Sequence, residues 1–220
     1  MIAWPTMLQN LIGGLQGLVD HALVGHFVGY AGNAAIGVAI QIFIVVIVFV
    51  MSVFSGMGVL VARFAGANQP DKVNRTVYQA FLAAVALWGL VLAPLGWILA
   101  PSLLTVVNAA PAVRAEALPF LRIMFLGSVG MLLFFMISGA LRASGDARTP
   151  LRLGVVLTAL NIVCNVAFIT GVGPFPRLGT AGAAVGSTVA GLAVSALAGY
   201  LLFSGRLPVV WHRGMDWRPD

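Results

Sequence analysis

Of the 220 residues, 60% are hydrophobic and only 8% are charged, with a mean hydropathy of +1.03; a soluble domain carries roughly 25% charged residues. Apolar stretches recur along the whole chain, which excludes both an ordinary soluble fold and a soluble domain on one anchor. The formal net charge of +6 does not signal nucleic-acid binding, because the basic residues stand singly or in small groups between apolar segments, where they act as topology determinants.

Breaks of charge, Pro and Gly predict an all-α membrane protein with six spanning helices, at about 2–28, 34–62, 77–107, 118–141, 152–171 and 179–204. Each is close to or above the roughly 20 residues that a spanning helix needs. No cleavable signal peptide is expected: the start lacks a basic n-region, and the first apolar segment exceeds the usual h-region of roughly 7–15 residues.

The first segment carries the one acidic side chain inside a predicted span, Asp20. An acid at bilayer depth is costly to insert, roughly 2.5–3.5 kcal/mol, and faces a cavity or bundle interior when it is retained. At 100° per residue, Gln9, Gln16 and Asp20 fall on one narrow stripe, so one side of this helix is wet. Pro5, one turn before Gln9, removes a backbone hydrogen bond and is a candidate hinge, although a proline near a helix start is also simply tolerated. His21 and His26 near the far end are read either as modulators of a proton site or as interfacial side chains. Gly13 and Gly17, four residues apart, have the spacing that lets helices approach closely in lipid.

The loop GANQPDKVNR follows the second segment and NAAPAVRAE the third; RASGDARTPLR and GVGPFPRLG come after the fourth and fifth. The fifth segment holds a second polar stripe, Thr158, Asn161 and Asn165, at i, i+3 and i+7 on one face. Its carboxamides can donate to a carboxylate, coordinate a hard cation through oxygen, or act as glue between helices. Cys164, the lone cysteine, lies in the same segment, so no disulfide or cysteine metal site can be built. In the sixth segment Gly182, Gly186 and Ala190 repeat the small-residue spacing.

Nine of the twelve basic residues belong to one side: Arg63, Lys72 and Arg75; Arg142, Arg148 and Arg152; and Arg206, Arg213 and Arg218 of the tail. Arg114, Arg122 and Arg177 belong to the other. The positive-inside rule makes the first side cytoplasmic, with both termini inside. No HExxH, GxSxG or P-loop is present, so the chain is not expected to be an enzyme, and any active transport would draw on an ion gradient.

The run from Pro5 to VDHALVGHFVG, the GANQPDKVNR loop, LRIMFLG, ALRASGDARTP, NIVCNVAFITGVG and LGTAGAAVGSTVA occur in this order. Together they resemble the multidrug and toxic compound extrusion (MATE) family over nearly the whole chain. The resemblance implies one six-helix lobe, residues 1–204, of a two-lobe transporter embedded in the bilayer of the cell's inner membrane. Residues 205–220 would then be a cytoplasmic tail leading into the inter-lobe connector. It further implies export of cationic or amphiphilic small molecules in exchange for H+ or Na+, without a cofactor. Asp20, Asn161 and Asn165 match the family's N-lobe cation site and Pro5 its first-helix proline; Gln9, Gln16 and Thr158 would line the cavity. A transient Na+ at Asp20 is the one metal this reading allows.

His21 stands where a small hydroxyl residue is common, and Asn165 where some members have a second acid, so proton and sodium coupling both stay open. The family continues past Asp220 into a second bundle, which implies a missing C-terminal lobe or a second copy as partner. Two other readings stand beside the exporter: a non-transporting assembly partner or half-length fragment, and a lipid-linked sugar flippase. The flippase would want a cationic cavity, and almost no interior Arg or Lys is expected.

Overall fold

The computed structural model describes residues 3–205 and 209–210. Six helical rods follow one another: α1 (Ala3–Phe27), α2 (Tyr30–Gly66), α3 (Pro70–Val106), α4 (Pro111–Ala143), α5 (Arg148–Thr170) and α6 (Thr180–Phe203). The five rods α2 to α6 are long and apolar enough to cross a membrane. With 25 residues, α1 also has the length, but its polar stripe dilutes its hydropathy.

α1 and α6 match their apolar segments to within a residue at each end, whereas α2 to α5 start earlier and α2 and α4 also end later. The second runs over 30–66 where 34–62 is expected, and the third and fourth begin at Pro70 and Pro111 instead of 77 and 118. Hydropathy marks the thickness of the hydrocarbon, whereas the backbone keeps its helix into the water layer. At 37 residues, α2 is about 55 Å long against a core of about 30 Å. Pro70 and Pro111 sit in first turns, where a missing N–H has no partner to lose. The polar residues after each proline are therefore helical. Asn68 and Asn108, at φ 55° and 56°, supply the left-handed residue that ends α2 and α3, a conformation asparagine tolerates better than most.

A π-helical turn interrupts α3 at Trp88–Leu92. Pro94 follows it: its ring would press on the carbonyl of Leu90 in a regular helix, and widening the turn relieves that contact. The Ala93 N–H accordingly donates to the Trp88 carbonyl, five residues back.

Helix ends sort into two sets. Ala65, Asn68, Gln69 and Ser144 border one cleft, so loops 67–69 and 144–147 share an end. Arg63, Lys72, Arg75, Arg142, Arg148 and Arg152 lie at or near that end, and the Val210 N–H donates to Asn74 Oδ1 there at 2.9 Å. At the opposite end Arg177 Nη2 donates to the Phe27 carbonyl at 3.4 Å, joining segment 171–179 to the end of α1. Arg206, Arg213 and Arg218, counted in the positive-inside argument, lie outside the described residues.

The bundle centres on α4, which packs against α2, α3 and α6. At the basic end Val61, Val77, Met136 and Leu141 are buried together; toward the other end Ile36, Leu104, Leu121 and Ile169 form a second cluster. Two side chains tie neighbours to α4 through its carbonyls: Trp88 Nε1 to Leu126 at 2.9 Å and Ser195 Oγ to Gly130 at 2.5 Å. Gly130 allows this approach, since a Cβ there would lie 2.6 Å from the Leu192 backbone nitrogen. Gly182 does the same for α5 and α6, where a Cβ would fall 2.4 Å from the Phe168 carbonyl oxygen. Gly13 and Gly17 do not serve helix packing as their spacing suggests: nothing lies within 4 Å of a Cβ at either position. They open a cavity instead.

Candidate functional site

That cavity, about 440 Å³, is bounded on one side by α1 through Gln9, Gln16 and Asp20 and on the other by α5 through Thr158 and Asn161. Because α1 and α5 run in the same direction, their two polar stripes meet rung by rung. The Gln9 side chain lies against Gly154, where an added Cβ would be 3.4 Å from its Cγ. One step on, Thr158 Oγ1 donates to Gln16 Oε1 at 3.0 Å. At the last rung Asn165 Nδ2 donates to Asp20 Oδ1 at 2.7 Å.

Asn165 and Asn161, one helical turn apart, are both fully buried, and Asn165 Nδ2 also reaches Asn161 Oδ1 at 3.1 Å. Asn161 passes the chain on, its Nδ2 donating to Ser187 Oγ on α6 at 2.8 Å. The order is directional. Asp20 only accepts when ionised, so the Asn165 amide must turn its nitrogen toward it, and the two acceptors together hold that orientation. The other end of the amide, Oδ1, has no hydrogen-bond partner and is pressed against α6. A Cβ on Gly186 would lie 2.1 Å from it and 2.8 Å from the Asn165 backbone nitrogen. Glycine at 186 is therefore what lets α6 close over the asparagine.

Such an arrangement couples a single carboxylate on the cavity wall to neutral amide dipoles buried between α5 and α6. A proton on Asp20 would add one hydroxyl donor and leave the other carboxyl oxygen able to accept from Asn165. A small hard cation would be met by oxygens of Asp20, Asn161 and Ser187.

Ser187 was not among the residues singled out by sequence. Its only signal is a hydroxyl in an apolar span, one residue past the Gly182–Gly186 contact row. Pro5 is buried in the first described turn of α1, and the helix runs unbroken to Phe27. His21 points away from the chain of amides: its Nδ1 lies 2.6 Å from Asn33 Oδ1 and links α1 to α2. His26 is exposed, its ring edge-on to Phe27. Arg142, counted above as a loop determinant, is the arginine that reaches this interior, where almost no Arg or Lys is expected. It belongs to the last turn of α4, and its Nη1 donates to Gln9 Oε1 at 3.0 Å. The cause is geometric: α4 continues past its apolar stretch, and a long side chain in its last turn can reach inward.

The MatE family model matches residues 5–167. A probable multidrug resistance protein, NorM, of Thermotoga maritima is 28% identical over 206 residues, a match covering 92% of this chain and 43% of that protein. The probable multidrug resistance protein YoeA of Bacillus subtilis is 29% identical over 189 residues, covering 86% and 41%. The solved outward-facing conformation of a multidrug resistance MATE family transporter of the MOP superfamily overlays 100% of this chain and 47% of that chain. Its TM-score is 0.87 at 23% identity, a likeness of fold. The chain thus spans less than half the length of the relatives it matches. Matched by the family model over most of its residues, and with its fold overlaid entire on half of a MATE transporter, the chain belongs to the MatE family.

Proposed function

We propose that this chain is the ion-responsive lobe of a secondary active antiporter that exports cationic or amphiphilic compounds in exchange for H+ or Na+. The observation that carries the reading is the Asp20 carboxylate, held by Asn165 at 2.7 Å on the wall of a cavity between helices. Asp20 is the residue that takes the coupling ion; Asn161 and Asn165 are its neutral partners, and Ser187 ends the chain of dipoles. Gln9, Gln16 and Thr158 keep the cavity polar along its length. Ion binding changes which contacts α1 makes with α5, and α1 responds by bending near Pro5. Populations shift only to the extent that the ion binds one state better.

Alternating access requires two bundles rocking about a site between them. Residues 1–204 therefore act together with a second bundle, either a C-terminal lobe or another copy, and 205–220 begin the connection to it. The basic end, with both termini, faces the cytoplasm of a cell whose inner membrane holds the protein.

Asp20→Asn keeps the shape and removes the ionisation. In the complete transporter it is expected to cut ion-driven efflux from vesicles at least tenfold while membrane insertion and folding persist. Asn161→Ala and Asn165→Ala are expected to weaken ion dependence less, since each removes a neutral ligand and leaves the charge. Unchanged ion dependence in Asp20→Asn sinks the proposal.

A further inference from the structure

A second cavity, about 540 Å³, opens between α2 and α4 at the basic end, away from the amide chain. Its walls are Met51, Phe54, Gly58 and Phe135, with the Ser55 hydroxyl and one charged group, Arg142. A guanidinium has five N–H donors. One nitrogen, Nη1, is engaged with Gln9 at 3.0 Å, and no carboxylate lies within ion-pair distance of Arg142 among the described residues. The acid closest in sequence is already used: Asp146 Oδ1 accepts the backbone N–H groups of Arg148 and Thr149, each at 3.0 Å, at the start of α5.

A cation half-buried in an apolar wall without a counter-charge is expensive, and it is retained where a ligand or partner supplies the missing charge. The bond to Gln9 orients the guanidinium and leaves its charge uncompensated, because an amide oxygen is neutral. Gly58 leaves room beside it, since nothing lies within 4 Å of a Cβ at that position. From these observations we infer that the α2–α4 cavity binds an amphiphile with a single anionic head, a phosphate or a carboxylate, its oxygens on Arg142 and its apolar body along Met51, Phe54 and Phe135. A planar fork of donors suits such a two-oxygen head. At the basic end this chemistry is available from an anionic phospholipid of the surrounding leaflet or from a free anionic amphiphile. The inference does not depend on Asp20 and stands or falls separately from the ion site.

The test is native mass spectrometry of the full 220-residue chain in detergent, titrated with dioleoyl phosphatidylglycerol and, separately, dioleoyl phosphatidylcholine. The anionic lipid is expected to form adducts at least fivefold in excess of the zwitterionic one. Arg142→Gln should bring the two to the same level. Gly58→Leu, which fills the cavity and leaves the charge, should do likewise, while Arg142→Lys should restore part of the excess. Arg152→Gln, an exposed arginine at the same end, should leave the excess intact. Displacement of the phosphatidylglycerol by dodecyl phosphate assigns the site to a free amphiphile; its retention assigns it to a membrane lipid. An undiminished excess in Arg142→Gln, or an equal fall in Arg152→Gln, overturns the inference, with circular dichroism confirming that each variant is folded.

Discussion

Replacing Gly186 with alanine should damage this protein where α6 closes over Asn165. The added Cβ would lie 2.1 Å from Asn165 Oδ1 and 2.8 Å from its backbone nitrogen, where ordinary contact begins at 3.4 Å. The first overlap can be relieved by swinging the Asn165 side chain away, the second only by moving α6. Swinging the side chain gives up two hydrogen bonds, to Asp20 and to Asn161. Interhelical bonds of this kind in membranes average about 0.6 kcal/mol and reach about 1.7. Overpacking adds roughly 1–3 kcal/mol, so Gly186→Ala is expected to destabilise by about 2–5 kcal/mol, read from SDS-driven unfolding of the detergent-solubilised chain. Part of that loss is made through Asn165 itself. In an Asn165→Ala background the same change should be less harmful by about 1–3 kcal/mol, a coupling in the range expected for residues in contact. Strictly additive effects would show that Gly186 and Asn165 do not meet, and with that the packing of α6 over the amide chain would be refuted.

Gly13→Ala and Gly17→Ala carry the opposite expectation: with open space around each Cβ, better helix propensity should stabilise α1 by about 0.5–1 kcal/mol. A loss above 1 kcal/mol in the same unfolding titration would mean that another helix packs there. Trp88→Phe removes the 2.9 Å donation to the Leu126 carbonyl and keeps the ring, so about 0.5–1.5 kcal/mol should be lost in that assay; no change would place the indole N–H in contact with solvent or lipid. Single cysteines placed in loops 67–69 and 144–147, in a Cys164→Ser background, should be labelled by a membrane-impermeant maleimide only from the cytoplasmic side. Cysteines in 107–110 and 171–179 should be labelled only from outside, and labelling of one basic-end loop from outside would break the six-helix topology.

Much of the architecture could be read without coordinates because the bilayer imposes one physical requirement, that backbone polar groups be satisfied inside each segment. Apolar length therefore reports helices, and the 100° step places Gln9, Gln16 and Asp20 on one face of α1 and Thr158, Asn161 and Asn165 on one face of α5. Apolar length placed the ends of α1 and α6 to within a residue but not the starts of α2 to α5, because a helix need not stop at the hydrocarbon boundary; Pro70 and Pro111 start helices well outside it. Periodicity within one helix is likewise silent about how that helix is rotated against its neighbours. Only the packed bundle decided that the two stripes face one another at 2.7–3.0 Å, that Ser187 on a third helix joins them, and that Arg142 turns inward to Gln9. The same holds for the glycines: Gly13–Gly17 and Gly182–Gly186 have identical spacing. One pair borders open space and the other an asparagine and a carbonyl, because spacing fixes a shared face and tertiary packing alone fixes what that face meets.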